Sequence, residues 1–252
     1  LSKARRGQRV RLAQGGDHKV ARLRARPAPD KDLDAMSQTQ RAQPLLFPAD
    51  LASLARAHGT DKVPKCPIYE RYLGVWRDKE INFLEIGVGG YHRPDFGGAS
   101  LRMWKAYFSR ANIFGLDIHD KSALEEDRIR IFQGRQSDPI ALGHIASEIG
   151  RIDVVLDDGS HISSDVIASF EFLFPLLAPG GLYIVEDIGT SYWPDYGGSA
   201  DFLNPNTSVA YFKRRVDGIQ HRHFKHAFAP TYADKNLAYV HFYDNVIIMQ
   251  KF

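Results

Sequence analysis

The segment INFLEIGVGGYHRPDFGGASLRMW, from Ile81 to Trp104, restricts the possible folds more than any other part of the chain. Its opening apolar residues, Ile81, Phe83, Leu84 and Ile86, predict a short strand buried on both faces, as parallel strands are. Gly87, Gly89 and Gly90 then break the run, and helical spacing begins near Ala99-Ser100-Leu101. Strand, glycine turn and helix form the first unit of a doubly wound α/β sheet, where a missing Cβ lets the backbone approach a ligand closely. Taken alone, such a turn can equally do no more than close a connection between a strand and a helix.

The remaining pattern extends that unit. Ile113–Ile118 reads as a second strand with Asp117 at its carboxyl end, Arg128–Phe132 as a third, Ile152–Leu156 as a fourth and Leu182–Val185 as a fifth. Helical spacing covers 48–58, 100–110, 163–177 and 207–220, with Gly59 just past the first of these. The chain closes with LAYVHFYDNVIIMQKF, two β-rich runs joined at Asp244-Asn245, which is hairpin turn chemistry. The expected fold is therefore α/β: five αβ units in a mostly parallel, doubly wound sheet, ending in a C-terminal antiparallel hairpin. A nicotinamide dehydrogenase would share the glycine turn and Asp117. It would usually lack the hairpin and add a substrate domain, for which no residues remain.

Composition narrows the setting. The single cysteine, Cys66, excludes an internal disulfide and fits a reducing compartment. No apolar run reaches the roughly 18 residues of a membrane span, and the N-terminus lacks the apolar core of a secretory signal, so a cytoplasmic location is expected. The net charge of +3 is unevenly spread: residues 1–31 carry ten Lys and Arg against Asp17 and Asp30. Residues 1–40 are expected to be a basic, disordered arm or a non-native extension, since Met36 follows 35 residues poor in apolar groups, and 41–252 the working domain. Such an arm could bind nucleic acid, although the bland reading as a solvated tail is preferred.

The chemistry gathers at the strand ends. Strand four runs into Asp157-Asp158-Gly159-Ser160-His161 and strand five into Glu186-Asp187. Ligands of open α/β sheets bind at this edge, and four carboxylates crowded there repel one another unless a cation sits among them. Oxygen ligands suit Mg²⁺ or a similar hard ion better than Zn²⁺. His161, at a helix start beside the acids, stands where a general base would. Asp117 can accept hydrogen bonds from both hydroxyls of a ribose. Ser137 or Asp138 could reach an adenine amino group, and Asp138-Pro139 equally reads as a helix N-cap. Thr60, in the HGTDK loop, belongs either to a lid over a cofactor or to a polar turn. The triple His221, His223 and His226 reads as a solvated basic stretch, because no Cys or carboxylate accompanies it.

From His58 to Gly198 the motifs HGTDK, LEIGVGGY, GGASLRMW, GLDI, QSDP, DDGSH, VEDI and TSYWPDYGG resemble those of the bacterial sugar O-methyltransferases that modify macrolide deoxysugars. The resemblance implies a class I methyltransferase (Rossmann-like) fold, S-adenosylmethionine as donor and bound Mg²⁺. It implies Asp158, Glu186 and Asp187 as metal ligands and His161 as general base. Glu85, Gly87, Gly89 and Asp117 would lie around the donor with Thr60 and Asp157, and Ser137 and Asp138 near adenine. The macrolide enzymes carry a large N-terminal domain with no counterpart here, so acceptor and oligomeric state are not carried over; a homo-oligomer stays open. The expected function is Mg-dependent O-methylation of a sugar hydroxyl, on a glycosylated natural product or a bacterial oligosaccharide. The alternatives are methylation of a catechol-like small molecule and nucleic-acid binding through the basic arm.

Overall fold

The computed structural model describes residues 50–252; the basic arm expected at 1–40 lies outside them. The first helix, α1 (Leu51–His58), starts where the Asp50 carboxylate accepts from the Ser53 amide at 2.7 Å and stops at Gly59, whose φ of +70° no longer continues a helix. The HGTDK loop does not continue as irregular chain to β1: the CPIYERYL stretch that follows it forms a second helix, α2 (Cys66–Leu73). Pro67 stands where a helix accepts it, in the first turn of α2.

The alternation then follows, with β1 (Asn82–Ile86), α3 (Ala99–Tyr107), β2 (Asn112–Asp117), β3 (Ile129–Gln133), α4 (Pro139–Ile149), β4 (Ile152–Asp157), α5 (Ser163–Leu173) and β5 (Leu177–Glu186). Only one short 3-10 turn, Ser122–Leu124, lies between β2 and β3, so the expectation of five αβ units is corrected at that crossover. After β5 come α6 (Ser208–Ile219), α7 (Tyr232–Asn236) and the hairpin strands β6 (Leu237–Tyr243) and β7 (Val246–Lys251). Asn245 takes the left-handed backbone (φ +59°) that this tight turn needs and Asn tolerates.

The seven strands lie in the order β3-β2-β1-β4-β5-β7-β6. β1 to β5 are parallel, and β7 runs antiparallel between β5 and β6. Period-two alternation sorts the side chains into two cores. Leu84, Val155, Tyr183 and Ile247 face Phe170, Phe174 and Phe212 on one side. Phe83, Val154, Ile184 and Ile248 face Tyr69, Leu101 and Trp104 on the other. Both faces are covered, which is why β1 and β4 read as mainly apolar runs with no polar face.

Strand order reverses between β1 and β4, and the crevice outside their carboxyl ends is where an open α/β sheet takes its ligand. Asp157 pairs with Val185 in the β4–β5 ladder. The next residues along, Asp158 and Glu186, therefore leave the sheet side by side. Parallel register alone carries both acids to one edge.

Candidate active site

A cleft of about 500 Å³ opens at that edge, lined by Gly87, Gly89, Asp117, Gln136, Asp158, His161 and Asp187 among others. Gly87 forms its floor at φ +94°, and a Cβ there would stand 2.2 Å from the carbonyl oxygen of Asp158. The β1 turn and the end of β4 thus touch through backbone, a contact that only glycine permits. Asp117 is fixed from both sides: one oxygen accepts from the Val88 amide at 3.0 Å and the other from the His119 amide at 2.9 Å. Each oxygen keeps a free lone pair, and the cleft lies beside the carboxylate.

The other residues expected near a donor separate. Thr60 lines an adjoining cleft of about 490 Å³ together with Gly87, Gly89 and Asp158. Glu85 and Asp157 are buried below the edge. Burial lifts Glu85 to about 7. It also lifts Asp157 to about 6, against hydrogen bonds from Ser169 (2.6 Å) and Gln136 (3.0 Å). Asp138 caps α4, accepting from the Ile140 amide at 2.9 Å, and neither it nor Ser137 lines the cleft. Gln136 does line it, and its side-chain oxygen accepts from the Ser160 amide at 2.7 Å. One side chain so ties the loop after β3 to the loop after β4.

Asp158, His161 and Asp187 each present one ligand atom within 4.8 Å of the others. No His221–His226 group of this kind occurs among the described residues. His161 and Asp187 both have left-handed backbones (φ +57° and +53°), a strain of about 1–3 kcal/mol each that tends to collect at functional sites. The His161 Nε2 lies 3.8 Å from Asp187 Oδ2, and its buried Nδ1 has no hydrogen-bond partner. An imidazole held this way has one nitrogen turned to the acids.

Two lysines of the HGTDK–VPK stretch reach into the cluster. Lys62, almost wholly buried, places Nζ 2.8 Å from Asp158, 2.8 Å from Glu186 and 3.2 Å from Glu85. Burial opposes its charge, but Glu186, Glu85 and Asp158 outweigh burial and hold the ammonium well above its ordinary range. Lys65 bridges Glu186 and Asp187, the latter at 3.0 Å, and the Tyr69 hydroxyl also donates to Glu186. Burial pushes Glu186 up, yet Lys62 and Lys65 override it and bring it to about 2.

The sequence reading missed these lysines, because Lys62 lies 124 residues from Glu186 and only tertiary folding joins them. The available signal was charge parity, since four acids at one edge call for cations. Asp158, Glu186 and Asp187 against Lys62 and Lys65 leave one negative charge, and Glu85, raised to about 7, adds a second as it ionises. A divalent cation fits that remainder, and the oxygen-rich donors suit a hard one.

No protein-family model matches the sequence. Among individual proteins, the chain is 47% identical over 188 residues to mycinamicin VI 2''-O-methyltransferase of Micromonospora griseorubida, covering 73% of this chain and 47% of that protein. It is 46% identical over 206 residues to 8-demethyl-8-alpha-L-rhamnosyl tetracenomycin-C 2'-O-methyltransferase of Streptomyces olivaceus, covering 80% of this chain and 54% of the relative. The structure superposes with a TM-score of 0.79 and 44% identity on the MycE methyltransferase of mycinamycin biosynthesis in complex with Mg and SAH, over 81% of this chain and 55% of that one.

Sheet order, terminal hairpin and edge cleft, matched to that structure, define a class I methyltransferase fold. Over the shared region the chain is similar to the bacterial sugar O-methyltransferases that its motifs resemble. It spans about half the length of the curated relatives it matches.

Proposed function

We propose that the chain transfers a methyl group from S-adenosylmethionine to a sugar hydroxyl of a glycosylated natural product, with a divalent cation at the carboxylate cluster. One observation carries the reading. A cleft lined by Gly87, Gly89 and Asp117 opens directly onto Asp158, His161 and Asp187. The relatives' names specify O-methylation of mycinamicin VI and of a rhamnosyl tetracenomycin, and MycE has been crystallised with Mg, SAH and mycinamycin VI.

In this mechanism the chain's residues divide the work. Gly87 and Gly89 admit the donor against bare backbone, and the prefixed Asp117 receives its ribose hydroxyls. Asp158, Glu186 and Asp187 would hold the cation. Lys62 holds Asp158 and Glu186 in place and keeps Glu186 charged, while Lys65 shares Glu186 and Asp187 with the cation and competes with it. When bound, Mg²⁺ supplies Lewis acidity that lowers the pKa of an acceptor hydroxyl. His161 Nε2 takes the proton of that hydroxyl as its oxygen bonds to the donor methyl and the methyl–sulfur bond breaks. Alignment of oxygen, carbon and sulfur provides much of the remaining acceleration.

The test is transfer of labelled methyl into a rhamnosylated or deoxysugar-bearing polyketide, with Mg²⁺ and then with chelator. Chelator should abolish transfer, and His161→Ala should keep donor binding while turnover falls by roughly 10²–10⁴. Label that enters a catechol or RNA, or ignores chelator, would sink the proposal. So would full turnover in His161→Ala.

A further inference from the structure

We propose that Thr190 is a positioning residue for the reaction: its hydroxyl latches the backbone of His161 to the segment after β5 and thereby sets the His161 ring against the Asp187 carboxylate. This inference rests on the function proposed above.

His161 and Asp187 come from the ends of two different strands, and each sits past the last rung of the β4–β5 ladder. Sheet hydrogen bonding therefore does not fix one against the other. Both also have strained left-handed backbones, which persist only where the surroundings over-determine them. Thr190 provides such a constraint. Its Oγ1 lies 2.9 Å from the His161 carbonyl oxygen and 2.9 Å from that of Asp187.

A hydroxyl has one proton to give. The Asp187 carbonyl also accepts from the Thr190 amide, at 3.2 Å, so the hydroxyl proton is free to go to His161. One residue then holds both strained carbonyls, one through its amide and one through its side chain. Thr190 is buried, so water does not readily replace the bond.

The latch is itself anchored. The adjacent Ser191 hydroxyl accepts from the Val209 amide at 3.1 Å and pairs with Ser208 Oγ at 2.6 Å, both in the first turn of α6. Ser208 donates its amide to Ser163 Oγ at the start of α5, two residues past His161, at 3.1 Å. The loop after β5 is thus tied to two helices, and Thr190 extends that rigid frame to the reacting side chains.

Thr190→Val keeps the shape and removes the proton; Thr190→Ser keeps the proton and removes the methyl. Three readouts are taken on the whole chain: Mn²⁺ affinity, S-adenosylhomocysteine affinity and kcat with a glycoside acceptor. In Thr190→Val, Mn²⁺ affinity should weaken by about 10-fold and kcat fall about 10- to 100-fold, because misplacement near 1 Å costs that much. S-adenosylhomocysteine affinity should stay at the wild-type value, and Thr190→Ser should return the other two to within about twofold of wild type. Wild-type Mn²⁺ affinity and kcat in Thr190→Val would overturn the latch, as would Thr190→Ser falling as far as Thr190→Val. Wild-type protein that binds Mn²⁺ yet methylates no glycoside defeats the proposed acceptor, and the Mn²⁺ comparison still decides the latch.

Discussion

Gly87→Ala and Gly89→Ala are the same substitution at nearly the same backbone strain, and they separate sterics from conformation. Gly87 has φ +94° and Gly89 +77°, so alanine pays a left-handed penalty of about 1–2 kcal/mol at either. A stiffer unfolded chain offsets about 0.4–1 kcal/mol of it. At Gly89 nothing lies within 4 Å of the added Cβ, and the net loss should be about 1 kcal/mol, a Tm drop of about 2–4 °C for a domain this size. At Gly87 the Cβ meets the Asp158 oxygen at 2.2 Å and its carbonyl carbon at 2.8 Å.

Ordinary carbon–oxygen contact requires the Asp158 carbonyl to retreat by roughly 1 Å. Asp158 N to Ile86 O (2.9 Å) and Gly87 N to Leu116 O (2.7 Å) resist that movement from both sides. Overpacking of this kind adds about 1–3 kcal/mol, so Gly87→Ala should lose about 3 kcal/mol in total, or about 6–12 °C. It should also weaken Mn²⁺ binding, because the Asp158 carboxylate moves with its backbone. Thermal unfolding and Mn²⁺ titration of both variants form the assay. Equal stability losses, or unaltered Mn²⁺ affinity in Gly87→Ala, would refute the backbone-contact argument.

Two further outcomes follow from the charges. Lys65→Met removes the ammonium that shares Glu186 and Asp187, so apparent Mg²⁺ affinity should tighten by roughly tenfold, about 1.4 kcal/mol; weaker binding in calorimetry would make Lys65 part of the site instead of its competitor. Glu85 and Asp157 are buried acids raised to about 7 and about 6, so their contribution to stability is complete below about pH 4 and is lost as pH rises through those values. Glu85→Gln removes its share, and relative to wild type it should gain up to about 3 kcal/mol between pH 5 and pH 8 in urea unfolding. Parallel stability curves for the two proteins would contradict the burial argument.

Much of the fold was legible because it rests on local pattern. Mainly apolar runs without alternation mark strands covered on both faces, and β1, β4 and β5 are legible on that basis; Asp244-Asn245 marks the hairpin. The misses share a cause. α2 is short and carries one proline and two tyrosines, and it forms because Cys66, Tyr69 and Leu73 share a buried face, Tyr69 packing edge-on to Trp104 at 5.5 Å between ring centres. Tertiary packing overrode propensity there.

The sequence by itself determined that acids and a histidine end neighbouring strands, because the strand pattern and residue identities are local facts. Only the tertiary structure decided what surrounds them. Lys62 and Lys65 arrive from a segment more than 90 residues away, and Glu186 is held as a carboxylate by that approach. Asp138 serves α4 as a cap while Gln136 faces the cleft, a choice made by the direction in which the chain leaves β3. Thr190, inconspicuous in a polar loop, meets His161 because two strand ends converge. Charge balance and side-chain direction depend on which distant segments meet, and the order of residues along the chain does not contain that distance.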